Sequence, residues 1–222
     1  MRELKERSSI KDIIESCGVP HPEVNLILSG KDPLNFSEVM HTNSLIDVYP
    51  VEFTPVANRA NGLQKRTVRT FVADGHLGKL TRNLRLLGFD VDYRTTADDR
   101  YLLESMQREN RALLTRDRRL LMHRVVQTGY YPRSQQAIEQ TLEVIRRFDL
   151  FPSIAPFTRC LQCNAPLREA SKTAVLDQLE PLTRIYYEDF SRCTGCGQVY
   201  WRGSHFDKLL RRVEELRTAL GD

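Results

Sequence analysis

The stretch RTFVADGHLGKLTRNLRLLGFDVDY, residues 69–93, decides the fold. Its first five residues are an apolar run that predicts a strand ending before Asp74. Leucines at helical spacing then predict a helix, which Gly88 ends, and the run over residues 89–93 predicts a second strand. The stretch is typical of a strand–helix–strand unit with parallel strands.

The same alternation continues beyond this stretch. Asp98 and Asp99 open another predicted helix, which Thr95 and Thr96 are expected to cap. Residues 112–115 form a third predicted strand, and one more helix follows it. Strands joined through helices in this way require right-handed crossovers, so we predict an α/β fold with a parallel sheet.

Carboxylates follow each of these predicted strands. Asp74 and Asp117 come directly after the first and third strands, and Asp98 and Asp99 open the helix after the second. Because the carboxyl ends of parallel strands meet at one edge of an open sheet, we expect these side chains to converge there. Mg²⁺ and Mn²⁺ prefer oxygen ligands, so the set predicts a metal site suited to phosphodiester hydrolysis. The alternative is that each aspartate only makes a turn or a helix cap.

Positive charge is concentrated in the same part of the chain. The 222 residues have a net charge of +4, but residues 65–133 alone contain 15 Lys or Arg and 8 Asp or Glu. Lys79, Arg82 and Arg85 are spaced to share the helix face opposite the leucines. This face is predicted to follow a phosphate backbone, with an ordinary solvated helix face as the alternative.

Two Cys-x-x-Cys pairs predict a second metal site. Cys160 and Cys163 form one pair, and Cys193 and Cys196 form the other. Four thiolates on two tight turns match the tetrahedral coordination of structural zinc, whereas redox dithiols or disulfides are the weaker alternative. The first residues lack the apolar stretch of a signal peptide, and no apolar run approaches the roughly 20 residues of a membrane span. We therefore expect a cytoplasmic protein, in which reduced thiols favour zinc.

The N-terminal part of the chain predicts a smaller α/β unit. Ser9 and Asp12 form a capping box at the start of an amphipathic helix. Cys17 lies on the apolar stripe of this helix, so we expect a buried thiol. Apolar runs over residues 24–28 and 45–49 predict two strands.

The central and C-terminal segments together resemble one known family. The segments FVADGHLGKLTRNLRLLGFDVDY, DDRYLLESMQRENRALLTRDRRLL and VYWRGSH, together with the paired cysteines, are similar to the C-terminal RNase domain family named after the exonuclease Mut-seven. The similarity spans roughly residues 69–210. It implies a PIN-like nuclease fold with an appended zinc ribbon.

This resemblance also implies roles for particular residues. The catalytic metal would be bound by three acids of the family motifs, Asp74, Asp99 and Asp117, with the Thr115 hydroxyl alongside Asp117. Asp98 is the weaker candidate of the pair Asp98 and Asp99. A fourth carboxylate position is open to Asp90, Asp92 or Asp98. The four cysteines match the zinc ligands of the family, and Arg82, Arg85 and Arg116 fall in its basic segments.

The activity that the resemblance implies is that of a metal-dependent endoribonuclease. PIN-like enzymes usually cut single-stranded RNA with Mg²⁺ or Mn²⁺ and leave a 5′ phosphate. The expected cofactors are thus structural Zn²⁺ and catalytic Mg²⁺ or Mn²⁺, and the expected substrate is a single-stranded or structured cellular RNA. Two other functions remain open: an RNA or ribonucleoprotein binding module that does not cut, and a protein adaptor that binds no nucleic acid. Only RNA binding should weaken with added salt.

The N-terminal segment resembles a different domain. SIKDIIESCGVPHPEVNLILSG, followed by LIDVYP, is similar to the ubiquitin-like β-grasp domain that precedes this RNase domain in many bacterial proteins. A β-grasp domain normally begins with a two-stranded hairpin, whereas only MRELKERSS precedes the helix here, so we expect the first strand to be missing. The domain lacks a terminal Gly-Gly, which argues against conjugation, and its surface is expected to bind a protein partner.

The expected organisation has five parts. A truncated ubiquitin-like domain covers residues 1–54, and a linker covers 55–67. A PIN-like RNase domain covers 68–156, a zinc ribbon covers 157–203, and a C-terminal helix covers 204–222. Aromatic residues of the ribbon are expected either to stack on bases or to build its small core: Tyr186, Tyr187, Tyr200 and Trp201.

Overall fold

The N-terminal unit is a three-stranded antiparallel sheet packed on one helix. The structure, a computed structural model, describes residues 8–40, 45–64 and 68–221. The elements of this unit are α1 (Ile10–Ser16), β1 (Val24–Ser29), β2 (Asp32–Pro33) and β3 (Asp47–Pro50), with β1 between the other two strands. The expected absence of a first strand concerns residues that lie mostly outside the described part of the chain.

The capping box at the start of α1 is confirmed, because the Ser9 hydroxyl accepts a hydrogen bond from the Asp12 N–H at 3.2 Å. Ile10 and Ile14 are buried and pack against β1. The expectation of a buried Cys17 is wrong, because Cys17 lies past the last helical residue as the C-cap, and its side chain is exposed.

The described part of the predicted linker is attached to β1. Asn25 is buried, and its side-chain amide donates to the Thr54 hydroxyl at 2.8 Å. The Leu63 N–H donates to the Asn25 carbonyl at 2.7 Å, and the Gln64 amide donates to the His21 and Val24 carbonyls at 3.0 Å. Residues as far as 64 therefore belong structurally with the N-terminal sheet.

The central sheet is parallel, as the sequence predicts, but it has four strands where three were expected. They are β4 (Thr70–Ala73), β5 (Asp90–Tyr93), β6 (Ala112–Leu114) and β7 (Gly129–Tyr130), arranged in the order β5-β4-β6-β7. Residues Phe71 and Val72 are fully buried and point to opposite faces of β4. Because both faces of the sheet are covered by helices, its two central strands, β4 and β6, are almost wholly apolar.

Helices cover the two faces of this sheet. Their bounds are α2 (Gly78–Leu86), α3 (Asp99–Glu109), α4 (Arg118–Leu121) and α5 (Ala137–Arg147). Helices α2 and α5 pack on the Phe71 face, and α3 and α4 pack on the Val72 face. The expectation that Thr95 and Thr96 cap α3 is wrong, because Asp98 is the N-cap and its carboxylate accepts a hydrogen bond from the Tyr101 N–H.

The C-terminal third forms a small antiparallel sheet followed by a long helix. Its elements are β8 (Leu167–Ala170), α6 (Lys172–Val175), α7 (Pro181–Tyr186), β9 (Phe190–Cys193), β10 (Val199–Trp201) and α8 (Ser204–Leu220). Strand β9 lies between β8 and β10. Val213 and Leu216 of α8 are buried in the core of the central domain, where α8 packs against α5. No helix in residues 8–40, 45–64 or 68–221 is long and apolar enough to cross a membrane.

Candidate active site and zinc centre

Thr115 links two of the predicted acids at the carboxyl ends of β4 and β6. Its hydroxyl donates to Asp74 Oδ2 at 2.8 Å and accepts from the Asp117 N–H at 2.9 Å. The Asp74 N–H in turn donates to the Leu114 carbonyl at 3.0 Å. Thr115 is fully buried, and its one proton is used by Asp74, so it acts as a structural bridge between the two acids.

Asp117 also caps a helix. Its Oδ1 atom accepts hydrogen bonds from the N–H groups of Arg119 at 2.7 Å and Leu120 at 3.2 Å. Both bonds fall on one oxygen, and the residue is exposed. The turn-and-cap alternative for this aspartate is therefore correct as a local description, and it leaves room for a second role.

Asp98 and Asp99 lie near the same edge, at the start of α3. Asp98 is the cap, and Asp99 is exposed in the first turn. A Cβ at Gly75 would clash with the Thr95 carbonyl, so the loop that leads to these aspartates passes directly against the segment after Asp74. Within the described ranges, however, the aspartates do not form a group of three whose ligand atoms lie within 4.8 Å of one another.

The other two candidates for a fourth acid are committed elsewhere. Asp92 Oδ2 accepts hydrogen bonds from the Tyr101 and Ser105 hydroxyls, each at 2.6 Å. Asp90 lies at the amino end of β5, opposite the candidate edge, and pairs with Arg111 at 2.5 Å. Of the three candidates, Asp98 is therefore the one placed at the edge.

The predicted basic face of α2 is only partly present. Lys79 and Arg82 are exposed, but Arg85 is 4% exposed, so its expected role in RNA contact is wrong. The Arg85 guanidinium donates to the Val91 carbonyl on β5 at 2.8 Å and to the carbonyls of Leu161 and Gln162 at 3.2 and 2.8 Å. The zinc ribbon packs over this side chain. A contact between segments so far apart in the chain cannot be predicted from the spacing of residues within one helix.

Arg118, which was not predicted, lies beside Asp117 together with the predicted Arg116. Arg116 donates to Gln135 at 2.8 Å, and its guanidinium lies 5.9 Å from the centre of the Tyr131 ring. The Arg118 guanidinium lies 5.2 Å from the same ring. Sequence reasoning missed Arg118 and Tyr131, although the run Arg116-Asp-Arg-Arg119 was a visible sign of a basic cluster.

The four predicted zinc ligands come together in the ribbon. The sulfur atoms of Cys160, Cys163, Cys193 and Cys196 lie within 4.8 Å of one another. Two of the distances are 3.7 Å, between Cys160 and Cys196, and 3.2 Å, between Cys163 and Cys193. Tetrahedral bonding with Zn–S distances of about 2.3 Å places sulfurs roughly 3.8 Å apart, so the group could bind one zinc ion.

Hydrogen bonds lower the pKa of two of these thiols, Cys160 and Cys163. The Cys163 N–H points to Cys160 Sγ at 3.5 Å, and the Tyr200 hydroxyl lies 3.1 Å from the same sulfur. Burial alone would raise the pKa of Cys163, but a hydrogen bond from the Ala165 N–H and bonds with the other cysteines lower it to about 6. A thiolate at neutral pH is the form that binds zinc.

The ribbon aromatics differ in their burial and contacts. Tyr200 is used by the cysteine cluster and Tyr187 packs on the ribbon core, whereas Tyr186 and Trp201 are exposed. These residues line a groove of about 1030 Å³ between the ribbon and the start of α8. Three acids, Glu169, Glu188 and Asp189, and two arginines, Arg159 and Arg202, line it as well, so its charges nearly cancel and do not favour a polyanion.

Comparisons with known proteins identify two domains. A family model described as Mut7-C RNAse domain matches residues 69–213, and one described as Mut7-C ubiquitin matches residues 1–55. No curated protein and no solved structure matches the chain. The first match covers more than half of the 222 residues and includes the central sheet, the cysteine cluster and most of α8. The chain therefore belongs to the Mut7-C RNase domain family and begins with a Mut7-C ubiquitin domain.

Proposed function

We propose that the protein is a metal-dependent ribonuclease that hydrolyses RNA at the carboxyl edge of its parallel sheet. The observation that carries this proposal is the Thr115 bridge, which holds the carboxylate of Asp74 and the backbone of Asp117 on adjacent strands. Membership in an RNase domain family supports the same reaction class.

In this proposal Asp74, Asp99 and Asp117 bind Mg²⁺ or Mn²⁺, with Asp98 as the additional acid at the edge. The ion, when bound, would lower the pKa of an attacking water and neutralise charge on the phosphate. Thr115 positions the acids. Because their ligand atoms are not within 4.8 Å as a set, side-chain rotation of the exposed Asp99 and Asp117 would accompany metal binding.

The surrounding cations would bind the substrate. Lys79 and Arg82 on α2 and Arg116 and Arg118 beside Asp117 are placed to contact phosphates of a single-stranded or structured RNA. Asp99 and Asp117 are exposed, and an open edge of this kind admits an internal segment of a strand, which supports endonucleolytic cutting.

Further proposals concern the setting of the enzyme. The four free thiols, gathered in one cluster without a disulfide, suit a reducing compartment, and we propose a cytoplasmic location with Zn²⁺ as the structural ion. The ubiquitin domain would bind a protein partner. We propose domain limits as expected from the sequence, except that residues 55–64 belong with the N-terminal unit.

A second function is favoured by one observation. The second function is an RNA-binding module that does not cut. Such a module needs no catalytic metal, and in the described ranges the acids do not form a compact group of three that would bind one. In that case the aspartates serve as caps and turns, which Asp98 and Asp117 do in the structure.

The test compares wild type with Asp117→Asn on labelled single-stranded RNA, with Mg²⁺, with Mn²⁺ and with chelator. Asn is as good a helix cap as Asp, so the variant should fold and lose only the charge. Asp149→Asn is the matched control, because Asp149 is exposed after α5 with a φ of 49°, which Asn also tolerates. We expect metal-dependent cleavage to fall by at least about 100-fold in Asp117→Asn, as for loss of a charge-stabilising group, and to be unchanged in the control. Equal RNA binding without cleavage by any of the three proteins would instead establish the binding module.

A further inference from the structure

Glu23 of the ubiquitin domain reaches the loop beside the candidate active edge. It belongs to the turn before β1, and its carboxylate is 10% exposed. One oxygen accepts a hydrogen bond from the Tyr131 N–H at 3.0 Å, and the other pairs with the Arg133 guanidinium at 3.0 Å. Glu23 therefore connects the first domain to the segment that directly follows the edge strand β7.

The same loop is held from its other side by α5. Glu143 accepts hydrogen bonds from the N–H groups of Arg133 at 2.7 Å and Ser134 at 2.9 Å. Residues 131–134 thus lie between two carboxylates, one from each domain. Since backbone N–H groups with charged acceptors form strong bonds, both carboxylates contribute to the shape of the loop.

Neighbouring contacts keep Glu23 in place. His21 Nε2 lies 2.5 Å from the Val126 carbonyl, and Arg147 donates to the Pro22 carbonyl at 3.1 Å. Both bonds are buried. Three consecutive residues of the ubiquitin domain are therefore fixed on the RNase domain near β7.

The loop matters because it carries the Tyr131 ring. The guanidinium groups of Arg116 and Arg118 both lie over this ring, and the residue between them is Asp117. The side chain of Thr115, just before them, is fixed in place because it is buried and donates a hydrogen bond to Asp74. The directions of the two arginines thus depend on where the loop holds Tyr131.

We propose that Glu23 is a positioning residue for Arg116 and Arg118, so that the ubiquitin domain strengthens RNA binding by the RNase domain without touching RNA. This inference rests on the proposed function, because it assumes that RNA is bound beside Asp117. It assigns the ubiquitin domain an intramolecular role.

Electrostatics alone would give the opposite effect. Glu23 is a negative charge near three arginines, Arg118, Arg133 and Arg147, and removing it makes the surface more attractive to a polyanion. A positioning role predicts weaker RNA binding after the charge is removed. The sign of the change therefore separates the two.

The experiment measures binding of labelled single-stranded RNA in chelator by Glu23→Gln and by Glu52→Gln. Glu52 is exposed on the same domain and acts on Arg133 through its charge, so it matches Glu23 in charge and neighbourhood. We expect Glu23→Gln to bind about three- to tenfold more weakly, the size of one lost charge-assisted bond. Glu52→Gln should bind as tightly as wild type or more tightly. Hydrogen exchange of residues 131–134 should be faster in Glu23→Gln alone.

Glu23→Asp, shorter by one methylene, is the second variant if Glu23→Gln does not fold, and the same weakening and faster exchange are expected of it. RNA affinity that is unchanged or raised in the Glu23 variant overturns the inference, as does weakened binding without faster exchange at 131–134. These outcomes do not depend on cleavage, so they leave the test of Asp117 intact. A wild-type protein that binds no RNA would overturn both proposals together. In cleavage assays, the Glu23 variant should raise KM and leave kcat nearly unchanged.

Discussion

A single hydroxyl determines much of the geometry of the candidate edge. Thr115 follows the last residue of β6, and its side chain has one proton to donate and lone pairs to accept with. The proton goes to Asp74 and a lone pair takes the Asp117 N–H. A serine could make the same bonds, but the extra methyl of threonine restricts its rotation and suits a fully buried site.

Asp90 makes a prediction about stability and pH. It pairs with Arg111 at 2.5 Å and Arg159 at 3.2 Å, and it accepts a hydrogen bond from Asn164 at 2.8 Å. Burial alone would raise the pKa of Asp90, but the bonds from Arg111 and Asn164 hold it below its usual value. The charged form is thus favoured by folding, and the stability it contributes is present above the ordinary pKa of 3.8 and lost as pH falls through the lowered value.

Asp90→Asn should therefore destabilise the protein at pH 7 by about 1–3 kcal/mol, because it leaves the partly buried guanidinium groups of Arg111 and Arg159 without this carboxylate. The thermal midpoint of unfolding measures this. Its difference from wild type should begin to shrink below pH 3.8, where the carboxylate of the unfolded chain becomes protonated, and should continue to shrink until the pH passes the lowered pKa of the folded protein. Asp32→Asn, at an exposed position on β2, is the control. A difference between Asp90→Asn and wild type that is the same at pH 7 and pH 3 would contradict this account.

At the level of elements, sequence periodicity predicted the central sheet well. The run that forms β6 is apolar throughout, β4 departs from this only at Thr70, and the leucines of α2 are buried as their spacing indicates. Arg85 shows what such periodicity omits. Its spacing groups it with Lys79 and Arg82, but the ribbon, about 75 residues later, covers it.

The candidate site was predictable to the same extent. Aspartates after strands were expected at one edge, and Asp74 and Asp117 are joined there through Thr115. The capping role of Asp98 depends on the local path of the chain before α3. Tyr131 and Glu23 come from segments without strand or helix periodicity, and their positions depend on how two domains pack together, which one sequence does not reveal.

The ribbon makes a prediction about zinc. Its own apolar core has four buried residues, Val175, Leu179, Phe190 and Val199, too few to hold the segment without a cross-link. We expect a chelator to unfold the ribbon and expose Arg85, with the parallel sheet left folded. Circular dichroism and limited proteolysis of residues 157–203 would report this change.

Cys163→Ser should reproduce the effect of the chelator, because serine is a poor zinc ligand. Cys17→Ser is the matched control, since Cys17 is exposed and lies far along the chain from the cluster. A ribbon equally resistant to protease in the chelated protein, the Cys163 variant and the control would show that zinc does not stabilise it.

For the whole molecule, the uneven charge predicts where RNA would bind. Residues 65–133 carry the excess of basic residues, whereas the three acids and two arginines that line the ribbon groove give it no excess of positive charge. RNA should therefore bind across α2 and the loop beside Asp117 and avoid the ribbon. The ubiquitin domain lies at the β7 side of the sheet, where the turn at His21–Glu23 contacts β7 and Glu23 accepts a hydrogen bond from Tyr131. It therefore lies at one end of this expected RNA path across α2 and the loop beside Asp117.

The salt dependence of RNA binding tests this expected RNA path. Each phosphate neutralised on a single strand contributes a slope of about −0.7 in log affinity against log salt concentration. Lys79→Gln and Arg82→Gln should each make the slope shallower by about 0.7, if each side chain neutralises one phosphate. Arg211→Gln, at an exposed position on α8 outside the expected RNA path, should leave the slope unchanged. The slope counts displaced ions and does not depend on catalysis. Slopes equal to that of wild type in all three variants would therefore place the RNA elsewhere on the molecule, even if Asp117 proves essential for cleavage.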